Sequence, residues 1–211
     1  MRIRTTSTAA RCLVTLGAAT ALALGGAALP ASAAPATPAT TATTTTTHAD
    51  PRALAAVTSL ATERLALADK VAAAKYGTDA PIDDPAREQQ ILDDVAKRSA
   101  DLGIDPAFAQ SVFRDQIEAN KVVQRGLYAR WDAHPEQRPT ERPDLATEVR
   151  PQLDRITTQL LDALRAVAPV RTSPACGPLL TAAALHDAHA RGFDVLHLKG
   201  LARALPSVCA S

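Results

Sequence analysis

From residue 50 onward, apolar side chains recur every three or four positions, the period that keeps them on one face of an α-helix. The first such stripe runs through Val57, Leu60, Arg64, Ala68, Val71 and Lys75, in steps of 3, 4, 4, 3 and 4, and predicts a helix over about 52–76. Gly77 and Pro81 end it. A second helix, about 85–102, places Arg87, Ile91, Val95 and Leu102 near one face, and Gly103 closes it. A long third helix reaches about Ala133, its stripe reading Phe113, Ile117, Asn120, Gln124, Leu127 and Trp131. Each of these helices opens on Asp-Pro, at Asp50-Pro51, Asp84-Pro85 and Asp105-Pro106, a capping carboxylate followed by a proline at the first helical position. A proline-rich linker from His134 to Pro143 precedes a fourth helix, capped by Asp144 and running to about Val167, with Pro151 tolerable only near its start. Two shorter helices, about 177–191 and 193–205, are divided by Gly192. The pattern is all-α: six helices, no strand alternation and no glycine-rich phosphate loop.

Polar residues interrupt these stripes. Arg64 and Lys75 lie eleven residues apart on one face, separated by about three turns, or roughly 16 Å of rise. An unpaired buried cation costs several kcal/mol, so such a core needs a buried anion or an anionic ligand. Arg87 adds a third cation in the first turn of the second helix, where the helix dipole disfavours it unless Asp84, Glu88 or a ligand anion compensates. Asn120 and Gln124 place two amides in the third stripe, and Arg150 falls near the start of the fourth helix. Blander alternatives exist for each. The cations can snorkel to water along their own stems, and an amide pair can serve only to set helix register. Taken together, Arg64, Lys75, Arg87, Asn120 and Gln124, with Glu88 and Arg150 beside them, suit a small ligand carrying two carboxylates. They do not suit nucleophilic hydrolysis, since no Ser-His-Asp or Cys-His arrangement is evident. His186 and His189 are three residues apart and His197 follows, but a metal site there needs a further ligand meeting them in space, so no metal is expected.

Composition narrows the class. With 211 residues, 46% hydrophobic and only 3% aromatic, the chain has the size of one globular domain rich in alanine and leucine. Residues 1–33 read as a secretory signal: Arg2, Arg4 and Arg11 precede an apolar run from Cys12 to Leu29, and Ala31-Ser32-Ala33 fits a small-residue cleavage site. An uncleaved anchor is the alternative. Residues 34–49, mostly Ala, Pro and Thr, predict a disordered leader, which leaves 50–211 as the folded domain. Losing the signal removes three of the 23 basic residues and none of the 22 acidic ones, for a mature net charge of −2, which argues against nucleic-acid binding. Nothing after the signal is long and apolar enough to span a bilayer, so no stable membrane association is expected once it is cleaved. Cys176 and Cys209 are the two mature cysteines, an even pair in an oxidising compartment, and predict one disulfide.

Several segments together resemble the all-helical AroQ-type chorismate mutases, particularly their exported subclass. They are Glu63-Arg64-Leu65, Lys75, the run from Asp84 to Gln90, Ile104-Asp105-Pro106, and Phe113 through Gln116 to Lys121 and Gln124. Arg142-Pro143-Asp144-Leu145, Arg150 and the cysteine pair resemble the exported subclass specifically. The resemblance implies a homodimeric helical bundle with a disulfide-closed C-terminal hairpin. It also implies a secreted or periplasmic, monofunctional enzyme that converts chorismate to prephenate without a cofactor. By the same resemblance Lys75, Gln124 and Arg64 are catalytic, and Asp84, Arg87, Glu88, Asn120 and Arg150 join them in binding substrate. Asn120 departs from relatives that carry a hydroxyl there, and Gln124 from exported relatives that carry a glutamate. Two other classes fit the same stripes: a dicarboxylate-binding module without turnover, and a structural helical secreted protein.

Overall fold

The computed structural model describes residues 50–210, so the expected signal segment 1–33 and all of the leader 34–49 lie outside the described residues. Six α-helices follow one another: α1 (Pro51–Lys75), α2 (Pro85–Asp101), α3 (Pro106–Ala133), α4 (Arg150–Val167), α5 (Cys176–Ala190) and α6 (Val195–Ala204). No strand occurs among the described residues. The Asp-Pro starts behave as expected. Asp50 accepts from the Arg52 amide at 2.9 Å, Asp84 from Arg87 at 3.0 Å and Asp105 from Ala107 at 3.0 Å, each satisfying an amide that the helix leaves without a partner. Gly103 ends α2 with a φ of 71°, a conformation that side chains with a Cβ rarely adopt.

α1 is the central rod, touching α3, α4, α5 and α6, while α3 packs on α2 and α6. Leu54, Val57, Leu65, Phe113, Leu160, Leu161 and Leu164 are almost completely removed from water, and each such side chain contributes about 1.5–3 kcal/mol. α6 reaches the centre of the bundle through a small residue. A Cβ on Gly200 would come within 2.8 Å of Val123 and 3.2 Å of Leu65, so glycine sets how closely α6 can approach α1 and α3.

The fourth helix differs from expectation at its start. Asp144 does cap, accepting from the Ala146 and Thr147 amides, but it opens a π-helical turn, Leu145–Val149, in which the Val149 amide reaches back to Asp144 O at 3.3 Å. Pro151 supplies the reason. It has no amide hydrogen for the carbonyl four residues earlier, and its ring crowds that carbonyl, so the preceding turn widens. Before it, the Tyr76 ring lies 5.1 Å from those of Tyr128 and Trp131, and the linker's Arg138 guanidinium stands 5.9 Å from the centre of the Tyr76 ring. Arg138 Nε donates to Trp131 O at 3.1 Å, tying the linker to the end of α3.

Cys176 and Cys209 are bonded as expected, joining the start of α5 to the segment after α6 with 5.8 Å between their Cα atoms. Closing a loop of 33 residues constrains the unfolded chain by about 3–4 kcal/mol. Reductant is therefore expected to lower Tm by roughly 10 °C. Activity should persist in protein that is still folded, and its immediate loss, measured below the new Tm, would contradict a purely structural role.

His197 is a second tie. Its Nε2 meets Asp69 Oδ1 at 2.9 Å and its Nδ1 meets Asp194 Oδ1 at 2.7 Å, linking α6 to α1. The hydrogen bond to Asp69 raises the imidazole pKa above its usual 6.5; burial opposes the rise and Asp194 adds to it. A group whose folded pKa is raised stabilises fully below its unfolded value and loses that contribution as pH climbs through the folded value. Tm should accordingly fall as pH rises upward from about 6.5, and His197→Gln should flatten that part of the curve. An unchanged slope in the variant would remove His197 from the explanation.

Candidate active site

One cleft lies among α1, α2, α3 and the beginning of α4. α1 contributes Arg64, Val71 and Lys75; the α2 start contributes Asp84, Arg87, Glu88 and Ile91; α3 contributes Ile117, Asn120, Lys121 and Gln124; Leu153 closes the α4 side. Arg150 borders the adjoining hollows, beside Arg64 and Arg87 in one and beside Lys75, Asp84 and Arg87 in the other. Seven of the eight residues singled out from the sequence therefore line one cleft within one chain, and the eighth, Arg150, borders the hollows that adjoin it.

Their burial is less uniform than the stripes suggest. Arg64 is 6% exposed and lies in the core. Its Nη1 faces Thr157 Oγ1 at 3.4 Å, and its guanidinium stands 5.7 Å from the centre of the Phe113 ring. Burial pushes its pKa down to about 10, partly offset by Asp154, so it remains a cation at neutral pH. Lys75, expected to point equally inward, sits at the cleft mouth, half-buried, with Nζ donating to Pro81 O at 2.8 Å. Burial lowers its pKa too, against the opposing pull of Asp84, Glu88 and Asp83. Arg87 is exposed at the rim and bonds Gln90 Oε1 at 3.2 Å. The first turn of α2 faces solvent on that side, so a position near its apolar face does not bury the side chain.

Among the described residues, none of Arg64, Lys75, Arg87 or Arg150 has a carboxylate within 4 Å. Four cations thus border one cleft without a paired anion, and one of them is in the core. Fields of one sign over low-dielectric walls concentrate oppositely charged ligands, and two carboxylates match this arrangement.

The amides on α3 form a pair. Gln124 Nε2 donates to Asn120 Oδ1 at 2.6 Å, which leaves the second hydrogen of that nitrogen uncommitted. Gln124 Oε1 is buried without a hydrogen-bond partner among the described residues. Such an atom costs about 1–3 kcal/mol, a defect that cores avoid and functional sites retain. Glu88 is held by Lys121, which belongs to the resembling run on α3 but had no role assigned to it. Lys121 Nζ lies 3.1 and 3.2 Å from the two Glu88 oxygens and also meets Glu118 at 2.6 Å and Asp83 at 3.3 Å. Gln116, in the same run and likewise without an assigned role, is buried and donates to Ala204 O at 2.8 Å. The only local hint of Lys121's position was Glu118 three residues before it.

No serine, cysteine or histidine lines the cleft. Among the described residues no three His, Cys, Asp or Glu side chains cluster as metal ligands do. The arrangement can bind a dianion, hold it in one conformation and direct N–H donors at it.

The chorismate mutase type II family matches residues 55–125, which carry every cleft-lining residue named above except Leu153; Arg150 also lies outside the match. A secreted chorismate mutase of Mycolicibacterium smegmatis is 37% identical over 76% of this chain and 88% of its own length. One of Mycobacterium tuberculosis is 31% identical over 74% and 78%. The crystal structure of a chorismate mutase from Burkholderia thailandensis superposes with a TM-score of 0.71 at 43% identity, covering 74% of this chain and 99% of that one. A shared helical fold, this degree of identity and coverage of most of each relative's length place the chain in the type II chorismate mutase family.

Proposed function

We propose that the protein is a secreted chorismate mutase that converts chorismate to prephenate with no cofactor. The supporting observation is the cleft in which Arg64, Lys75, Arg87 and Arg150 converge without carboxylate partners, next to the amide of Gln124. In this reaction a C–O bond breaks as a C–C bond forms and no proton moves. The protein therefore contributes conformation and electrostatics: it holds the substrate compact with its bond-forming carbons in contact, and it stabilises negative charge growing on the ether oxygen. Arg64 and Arg87 hold the carboxylates, with Arg150 and the Asn120 amide assisting. Lys75 and the free hydrogen of Gln124 Nε2 serve the ether oxygen. Glu88 accepts from the ring hydroxyl, and Asp84 caps α2 so that Arg87 and Glu88 face the cleft.

The direct test is to mix the mature chain with chorismate and follow the loss of its ultraviolet diene absorbance, with prephenate as product. Folded, disulfide-bonded protein that leaves chorismate unchanged would move the dicarboxylate-binding reading to first place. Because an amide does not titrate near neutrality, the rate should be flat from about pH 5 to 8. Gln124→Glu should be active mainly at acid pH, where its carboxyl is protonated and can donate. A steep acid optimum in the wild type would count against Gln124 as the donor.

The same reading includes export and assembly. Residues 1–33 direct the chain out of the cytoplasm and are cleaved near Ala33, and the mature chain is a homodimer whose sites are each completed by their own Arg150. Amino-terminal sequencing and light scattering of exported protein check both. Among the described residues no helix is long and apolar enough to cross a membrane.

A further inference from the structure

We propose that Lys121 is the positioning residue for Glu88, and that the enzyme's recognition of the substrate hydroxyl depends on it. This rests on the mutase reading of the cleft, in which Glu88 accepts from that hydroxyl.

Three carboxylates from two parts of the chain surround one ammonium. Asp83 precedes α2, Glu88 lies in its first turn, and Glu118 lies one turn before Lys121 on α3. Lys121 is 7% exposed, and its ammonium reaches both Glu88 oxygens almost equally, at 3.1 and 3.2 Å. Glu88 Oε1 also faces the Asp84 amide at 3.3 Å. A carboxylate has about four acceptor positions, so these contacts fix the plane of the Glu88 head and leave capacity on its cleft side. Burial by itself would lower the Lys121 pKa, but Glu118, Glu88 and Asp83 together raise it. The ammonium stays charged across the working range. Arg125 neutralises Asp83 from the solvent side at 2.7 Å, which leaves Lys121 as the cation shared by Glu88 and Glu118. Without it, those two carboxylates repel each other, and the Glu88 side chain is released from the cleft wall towards water.

Lys121 does not touch the reacting atoms in this scheme. Its loss should remove binding that is equal in ground and transition states, raising KM while kcat changes little. The discriminating probe is a pair of bicyclic diacid analogues of the transition state, one bearing the hydroxyl and one lacking it, with their affinities measured by calorimetry. A hydrogen bond to a charged acceptor corresponds to about 10- to 100-fold in affinity, so wild-type protein should prefer the hydroxyl analogue by that factor. Lys121→Met should erase the preference, Lys121→Arg should restore most of it, and in a Glu88→Gln background Lys121→Met should have no further effect on it. If Lys121→Met does not fold, Lys121→Gln removes the charge while keeping a donor and carries the same comparison. The proposal is overturned if the charge-removing variant keeps the preference, if it weakens both analogues equally, or if wild-type protein shows no preference. Chorismate turnover is assayed separately, so failure of the mutase reading is told apart from failure of the Lys121 assignment.

Discussion

Arg64→Met is expected to make the protein more stable and nearly inactive. The guanidinium is buried with no carboxylate within ion-pair distance among the described residues, and its Thr157 contact is long at 3.4 Å. Replacing buried charges by apolar groups of similar volume commonly stabilises by about 1–4 kcal/mol, or roughly 2–4 °C in Tm per kcal/mol for a domain of this size. Asp154, the carboxylate whose charge partly offsets that burial, is itself exposed, so the substitution leaves no buried anion behind. Thr157 keeps its bond to Leu153 O at 2.7 Å. Loss of a buried carboxylate-binding cation should lower kcat/KM by at least about 100-fold. Calorimetry and a chorismate assay on one preparation check both halves. A lower Tm would mean that Arg64 is structurally paired, and retained activity would mean that the substrate carboxylate is held elsewhere.

Lys75→Ala separates catalysis from folding in the opposite way. The side chain is half-buried at the cleft mouth and its one hydrogen bond goes to Pro81 O in the neighbouring loop, so its removal should change Tm little. A donor aimed at developing charge is worth about 3–4 kcal/mol, and kcat should fall by at least ~100-fold. The wild-type rate should also have an alkaline limb. Lys75 donates only as the ammonium, and burial lowers its pKa from 10.5, so activity should be lost as pH rises through a midpoint below 10.5. Lys75→Arg should move that limb upward. A full rate in Lys75→Ala, or an alkaline limb unchanged by Lys75→Arg, would exclude Lys75 as the donor.

These variants point to the organisation of the cleft. Arg64, in the core, tolerates burial for the sake of charge, and Gln124 keeps an orphaned oxygen beside Asn120. Sites of this kind hold local instability that the surrounding packing offsets, here the apolar contacts of α1 with α3 and α4. The disulfide ties the two C-terminal helices to each other, and His197 ties α6 to α1.

Local rules in the sequence were sufficient for most of the fold. The 3.6-residue period, the Asp-Pro starts and the glycine stops determined six helices and nearly all their ends, because capping and periodicity act over a few residues. The cation at Arg64 and the amides at Asn120 and Gln124 were legible for the same reason, as polar breaks in apolar stripes. The disulfide followed from Cys176 and Cys209 being the two cysteines beyond the expected signal segment. Tertiary structure alone decided how far each polar group is buried, since that depends on which helices cross over it: Arg64 beneath α4, Lys75 at the mouth, Arg87 in solvent. It alone decided the π-helical turn before Pro151 and the hollow in which Arg150, 86 positions along the chain from Arg64, lies beside it next to the cleft. The Lys121–Glu88 contact spans 33 positions and joins two helices. No periodicity within either helix encodes such a meeting, because it is fixed by the angle and distance at which the two helices pack.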